Sequence, residues 1–247
     1  MSEQIEGSPR FGHGSAILAD RVGFWSGVLS AVFAAISFAL GVTTPPRTGP
    51  FAAPAIAIGY PYMQAAAFVA RDFLWMWPAM LMMAAFLILA AATHHRAASN
   101  ARLSSRIGLC LATISTAVIV GDYFVQLRAV QPSLLRGEVQ GLALLSQYNP
   151  HGVFIALEEF GYIAMSVGML FLAFSVPGTG RLEQSIRWIF FVSSVLTISS
   201  FIGMSVYFGF ALEYRFEVAV ITIDYLTLAI SGVLLSRWFL RPSGVGT

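Results

Sequence analysis

The chain has 247 residues, 57% of them hydrophobic and 11% charged, with a formal net charge of +2 and a mean hydropathy of +0.75. A soluble domain carries about 25% charged residues, so this chain cannot solvate a globular surface, and its composition predicts a membrane protein. Near-neutral charge excludes the large electrostatic footprint that nucleic-acid binding needs.

Residues 1–20 are polar and rich in glycine and serine, and read as a cytoplasmic tail. The segment is too long and too acidic for a signal-peptide n-region, and no clear small-residue cleavage site follows. Six apolar runs come next, near 22–42, 73–93, 107–127, 152–176, 186–207 and 218–238. Uncharged runs of about 18 residues or more read as membrane spans. The fold class is therefore all-α, a polytopic transmembrane helical bundle in one domain over 21–241, with 242–247 as a second tail. Between the first two runs, Pro45, Pro46, Pro50, Pro54 and Pro61 break regular structure. Whether 51–70 lies at the interface or re-enters the membrane stays open. Pro78 could kink the second helix. Asn149-Pro150 is a start signal for the fourth helix and Pro177-Gly178 a stop. Leu135, Val139, Leu142 and Leu145 recur at helical spacing, as in a short interfacial helix or an ordinary amphipathic linker.

Arginine sets the orientation. Arg10, Arg21, Arg96, Arg102, Arg106, Arg181, Arg187, Arg237 and Arg241 fall on the side of the termini, against Arg47, Arg71, Arg128, Arg136 and Arg215 on the other. The excess predicts an inner (plasma) membrane protein with both termini cytoplasmic and the lipid bilayer as its partner. There is no lysine, which excludes a retinal Schiff base and a P-loop phosphate site. Cys110 is the only cysteine, so no intramolecular disulfide or thiolate cluster can form, and its apolar surroundings in sequence suggest packing.

A charge at mid-bilayer costs at least about 2.5 kcal/mol on the insertion scale, so such residues turn toward the bundle interior or water. Asp122 lies about 22 Å along the third helix in a core about 30 Å thick, in its outer third. Glu158 and Glu159 stand in the early turns of the fourth helix, and Asp224 stands about two turns below the outer end of the sixth. Arg71 with Asp72, and Arg128, mark outer helix ends. Helical spacing aligns Ser115, Asp122 and Gln126 on one helix, His151, Glu158 and Tyr162 with Glu159 and Ser166 on the next, and Glu217, Asp224 and Ser231 on the last. Ser193, Thr197 and Ser200 form a further stripe. These stripes predict one polar pocket in the outer half, lined by Asp122, Glu158, Asp224 and Arg71, then by Glu159, Arg128, His151 and Tyr162.

Three readings of that constellation stay open. It can be an interhelical ion-pair network, with Arg71 and Arg128 neutralising the carboxylates. It can bind a small ligand or cation, with proton coupling, because four intramembrane carboxylates face at most two arginines. It can be a membrane-embedded enzyme using carboxylate acid/base chemistry on a lipid-like substrate. Glu158-Glu159 is similar to the paired glutamates of intramembrane prenyl-protein peptidases, but Ile163 stands where that family has arginine and no later histidine follows, so the resemblance fails. A single histidine, His151, on that side predicts no metal site. The sequence names no cofactor and no catalytic residue. Asp122-Tyr123 echoes Asp224-Tyr225 within similar apolar contexts, which reads as chance, although two such pairs at one depth suit a common pocket.

Overall fold

The structure, a computed structural model, describes residues 11–241. Nine α-helices form among them: α1 (Phe11–Thr43), α2 (Val69–Asp72), α3 (Met76–His95), α4 (Arg102–Val125), α5 (Gln131–Arg136), α6 (Leu142–Leu145), α7 (Val153–Ala173), α8 (Arg181–Phe208) and α9 (Tyr214–Phe239). No strand forms among the described residues. Six helical stretches are long and apolar enough to cross a membrane, with mean hydropathy from 1.6 to 2.1 in their most apolar windows. They match the six runs expected from sequence, and the chain is all-helical and multi-pass in character.

Boundaries differ for local reasons. Helix α1 extends through 11–20, the segment read as tail, because nothing between Phe11 and Asp20 breaks it. Its first ten predecessors lie outside the described residues, as does the expected tail at 242–247. Pro78 sits in the first turn of α3, where a missing N–H costs no helical bond, so it marks a start and not a kink. Helix α7 begins at Val153. Asn149 instead closes a side-chain turn, its Oδ1 accepting the His151 N–H at 3.0 Å. The 135–145 stripe is not one helix. Gly137 and Gly141 both take φ of +72°, ending α5 and preceding the short α6. Leu142 is buried while Leu135 and Val139 are exposed. The segment after Pro50 is neither a span nor a long interfacial helix: it makes a 3-10 turn at Met63–Phe68 that runs into α2. Cys110 is exposed on α4 and is not a core packing residue.

Helices α1, α3, α4, α7 and α9 pack in sequence around a ring, with α9 returning to α1. Helix α8 lies outside the ring against α7 and α9. It presents Phe191, Val192, Leu196, Ile202 and Val206 outward. That apolar exterior suits lipid and would be untenable in water. The interior holds Met76, Met82, Met83, Phe86, Ile119, Met165 and Met169, all 1% exposed or less.

Two devices close the ring. At the face carrying the chain ends, Arg96 lies 3.7 Å from Asp20 of α1 and donates to the Trp238 carbonyl at 2.8 Å, with its guanidinium over the Trp238 ring. This binds the start of α1 and the end of α9 to one face. Farther in, α1 and α9 touch through backbone. A Cβ on Gly232 would stand 2.5 Å from the Gly27 carbonyl oxygen, and one on Gly27 would stand 2.7 Å from that of Gly232. Small residues allow such approach between membrane helices.

A leucine at Gly232 must therefore push α1 away. Gly232→Leu is expected to cost about 1–3 kcal/mol, read as a lowered unfolding midpoint in detergent. Gly203→Leu on α8, where an added Cβ meets nothing within 4 Å, is expected to leave the midpoint unchanged.

Candidate functional site

The site lies toward the loop face, opposite the chain ends, and is built by α1, α3, α4, α7 and α9. Position 158 on α7 turns into the ring, so Glu158 is fully buried. One carboxyl oxygen accepts a short hydrogen bond from Tyr123 of α4. The other has no donor, and neither does Glu217 Oε2 on α9. The two carboxyls are near enough to feel each other. Asp122, one residue before Tyr123, is 5% exposed, leaves Oδ2 without a donor and is near enough to feel the Glu158 charge. Glu159 is half-buried beside it.

From Glu158 a file of hydroxyls runs across the ring. Tyr123 Oη is 2.8 Å from Tyr162 Oη, and Tyr162 Oη is 3.1 Å from Tyr225 Oη. Tyr225 Oη is 3.2 Å from Ser37 Oγ of α1, which donates to the Trp75 carbonyl at 2.9 Å. The phenols of α4, α7 and α9 are 1% exposed or less. Their hydroxyls are satisfied within the file, by one another and by Glu158 and Ser37 at its ends. The two Asp-Tyr pairs of the sequence thus do meet, through their tyrosines, with Tyr162 between them.

Asp224 belongs to a second layer. Its Oδ1 accepts from Ser166 of α7 at 2.6 Å, and Ser166 Oγ is 2.9 Å from Thr197 Oγ1 of α8. Seven residues separate Asp224 from Glu217, about 10 Å along the helix. The single pocket expected around Asp122, Glu158 and Asp224 is therefore two polar layers, joined along one face of α7 by Glu158, Tyr162 and Ser166. Thr197 joins the inner layer, as the α8 stripe suggested.

The arginines are not where the sequence pattern placed them. Arg71 is exposed and donates to the Thr43 carbonyl at 3.2 Å. Arg128 is exposed at a π turn, Gln126–Val130, and His151 is exposed in the loop before α7. None of the three joins the carboxyl cluster. The buried arginine is Arg47, from the proline-rich loop. It grips Asp72 with Nε at 3.0 Å and Nη2 at 3.3 Å, and its guanidinium lies 3.7 Å from the centre of the Phe68 ring. Tyr148 donates to Asp72 Oδ2 at 3.1 Å. Burial and the Asp72 charge hold the Tyr148 phenol above its usual value, so it stays a donor. Ion pairs among the described residues are Arg47–Asp72, Arg96–Asp20, Arg215–Glu213 and Arg241–Glu183. Asp122, Glu158, Glu159, Glu217 and Asp224 take part in none.

A cavity of about 380 Å³ opens between the loop-side ends of α1 and α9. Glu217, Tyr214, Tyr225, Trp75 and the Arg47–Asp72 pair contribute its polar wall, while Phe38, Val42, Val218 and Ile221 contribute apolar surface. None of the eight residues predicted to line the pocket lines it, although Asp72 and Glu217, also marked in the sequence, do. Glu217 and Tyr225 connect it to the cluster behind. Glu217 shared a predicted face with Asp224, and its position seven residues earlier was the signal for it. Arg47 gave no periodic signal, being in a loop.

No family model, curated protein or solved structure matches this chain.

Removing Arg47 leaves Asp72 buried and uncompensated. Arg47→Met is expected to cost about 3–5 kcal/mol, and Arg47→Met with Asp72→Leu to recover most of it. Arg71→Met, at an exposed site, is expected to stay within about 0.5 kcal/mol. Unfolding midpoints of the variants in detergent check the ranking.

Proposed function

We propose that this chain is a multi-pass protein of the inner (plasma) membrane, both termini cytoplasmic, whose outer half binds a small organic cation in exchange for protons. The arginine excess at the face carrying the chain ends supports the orientation. A proton-coupled transporter is the activity that such exchange serves.

One observation carries the reading. Glu217 belongs to a carboxyl cluster that takes part in no ion pair among the described residues, and it lines a cavity. Two carboxyls facing each other away from water do not both ionise. Glu158 and Glu217 then hold a proton between them when the cavity is empty, and a cation against Glu217 replaces it. The released proton needs a path, and the hydroxyl file offers one. Its oxygens, in series from Glu158 through Tyr123, Tyr162 and Tyr225, can pass a proton by reorienting O–H bonds. Tyr225 and Ser37, at the far end of that file, stand in the cavity wall. The cavity volume falls within the range of small-molecule sites, about 300–1,000 Å³.

The ion-pair reading accounts for Arg47–Asp72, which ties the loops over the bundle. It leaves the Glu158 cluster unexplained, since its carboxyls have no arginine among the described residues.

Butylamine is the simplest probe, cationic throughout the neutral range. Thermal stabilisation of the purified protein by butylamine is expected to be larger at about pH 8 than at about pH 6, because protons compete for Glu217. Glu217→Gln is expected to abolish it. Tyr162→Phe is expected to keep binding while slowing proton release followed by a pH dye. Stabilisation independent of pH, or unchanged in Glu217→Gln, would overturn the reading.

A further inference from the structure

Helices α1 and α9 touch at Gly27 and Gly232 and are still joined by Ser37 and Tyr225 farther along. Beyond that point they part. The gap between their loop-side ends is the cavity, with Ser37 and Tyr225 at its floor. Its edges are Phe38, Gly41 and Val42 on α1, and Val218, Ile221 and Thr222 on α9. All six belong to stretches long and apolar enough to cross a membrane. Val42 is 70% exposed and Val218 49%. The opening thus lies at the depth of the spans and looks sideways.

The roof, by contrast, is tied down. Thr48 Oγ1 is 2.7 Å from Tyr214 Oη, and Tyr214 donates to the Gln147 carbonyl at 3.0 Å. Gly49 lies so close to the Tyr214 ring that an added Cβ would stand 2.5 Å from it. Arg47, locked onto Asp72, holds the same loop from behind and accepts the Ile58 N–H on its carbonyl at 2.9 Å. The loop after α1 therefore screens the cavity from the loop-face solvent.

We propose that the ligand of this cavity is an amphiphilic amine that enters from the bilayer through the gap between α1 and α9. This rests on the cation-binding reading of Glu217 and adds the chemistry of the rest of the ligand. The ammonium head meets Glu217 at the polar wall, and the alkyl chain lies along Phe38, Val42, Val218 and Ile221. A molecule already dissolved in lipid needs no opening to water. A short hydrophilic cation of the same charge gains nothing from a mouth bordered by valine and phenylalanine, whereas an alkyl chain does.

Gly41 supplies the test, since a Cβ there meets nothing within 4 Å. An indole at this position fills the mouth without disturbing the backbone, and Gly203 on α8 is equally uncrowded but remote. The full chain in lipid nanodiscs is titrated with dodecylamine and with butylamine, with binding expressed per mole of amine in the bilayer. Gly41→Trp is expected to weaken dodecylamine by about tenfold or more and to change butylamine by less than about twofold, while Gly203→Trp changes neither. If Gly41→Trp leaves dodecylamine unchanged but Glu217→Gln removes both amines, lateral entry is wrong and the acidic site stands. If Glu217→Gln leaves both unchanged, or neither amine binds the wild type, the cation reading fails and the amphiphile proposal falls with it. Size-exclusion profiles confirm that each variant is folded.

Discussion

A carboxyl group in an apolar bundle has few stable conditions: paired with a cation, hydrogen-bonded, or carrying its own proton. This chain distributes its buried acids among those conditions, and the arrangement of the helices follows. Asp72 takes the arginine, Asp224 takes one hydroxyl from α7, and Glu158 takes a tyrosine and the company of a second glutamate. Each solution requires a partner from another element, a loop for Asp72 and a different helix for Asp224 and Glu158. The acids therefore act as registers, fixing how α4, α7 and α9 stand relative to one another at a depth where apolar packing alone is permissive.

The same accounting separates architecture from activity. Arg47–Asp72, with Tyr148 and Phe68 around it, is internally complete and holds the loop after α1 against the bundle. The Glu158 cluster is incomplete, with several carboxyl oxygens lacking a donor. Unsatisfied buried polar atoms cost stability and are retained in few places. Here they lie behind a cavity wall, where an incoming group could complete them. The tyrosine file shows how the remaining polarity is contained. A phenol brings a large apolar body and a single hydroxyl, so a row of them carries hydrogen bonds through a core that is otherwise methionine and phenylalanine.

The helical bundle was readable from the chain because its signal is thermodynamic: long runs without charge have no other stable home. The buried faces were readable for the same reason. Asp122, Glu158, Tyr162 and Asp224 all turn inward, as their spacing required. What periodicity could not supply was the neighbour relation between helices, so two polar layers looked like one. Nor could it reach Arg47, whose role depends on how a proline-rich loop folds back over Asp72. Arg71, adjacent to Asp72 in sequence, was the natural candidate, but it turns outward to the Thr43 carbonyl and leaves Asp72 to Arg47. The stripe ending at Leu145 failed for a different reason: Gly137 and Gly141 adopt left-handed backbone that no helix tolerates.

Helix α1 is 33 residues long, about 50 Å, against a hydrocarbon thickness of about 30 Å. Asp20, where Arg96 grips it, stands well inside the helix, and just before it Ile17 and Leu18 are exposed. Because α1 is one unbroken helix from Phe11 to the cavity wall, a tilt at its loop-side end swings its other end in the opposite sense. The fulcrum of that lever, the Gly27–Gly232 crossing, stands at the middle of α1, so its two arms are equal in length.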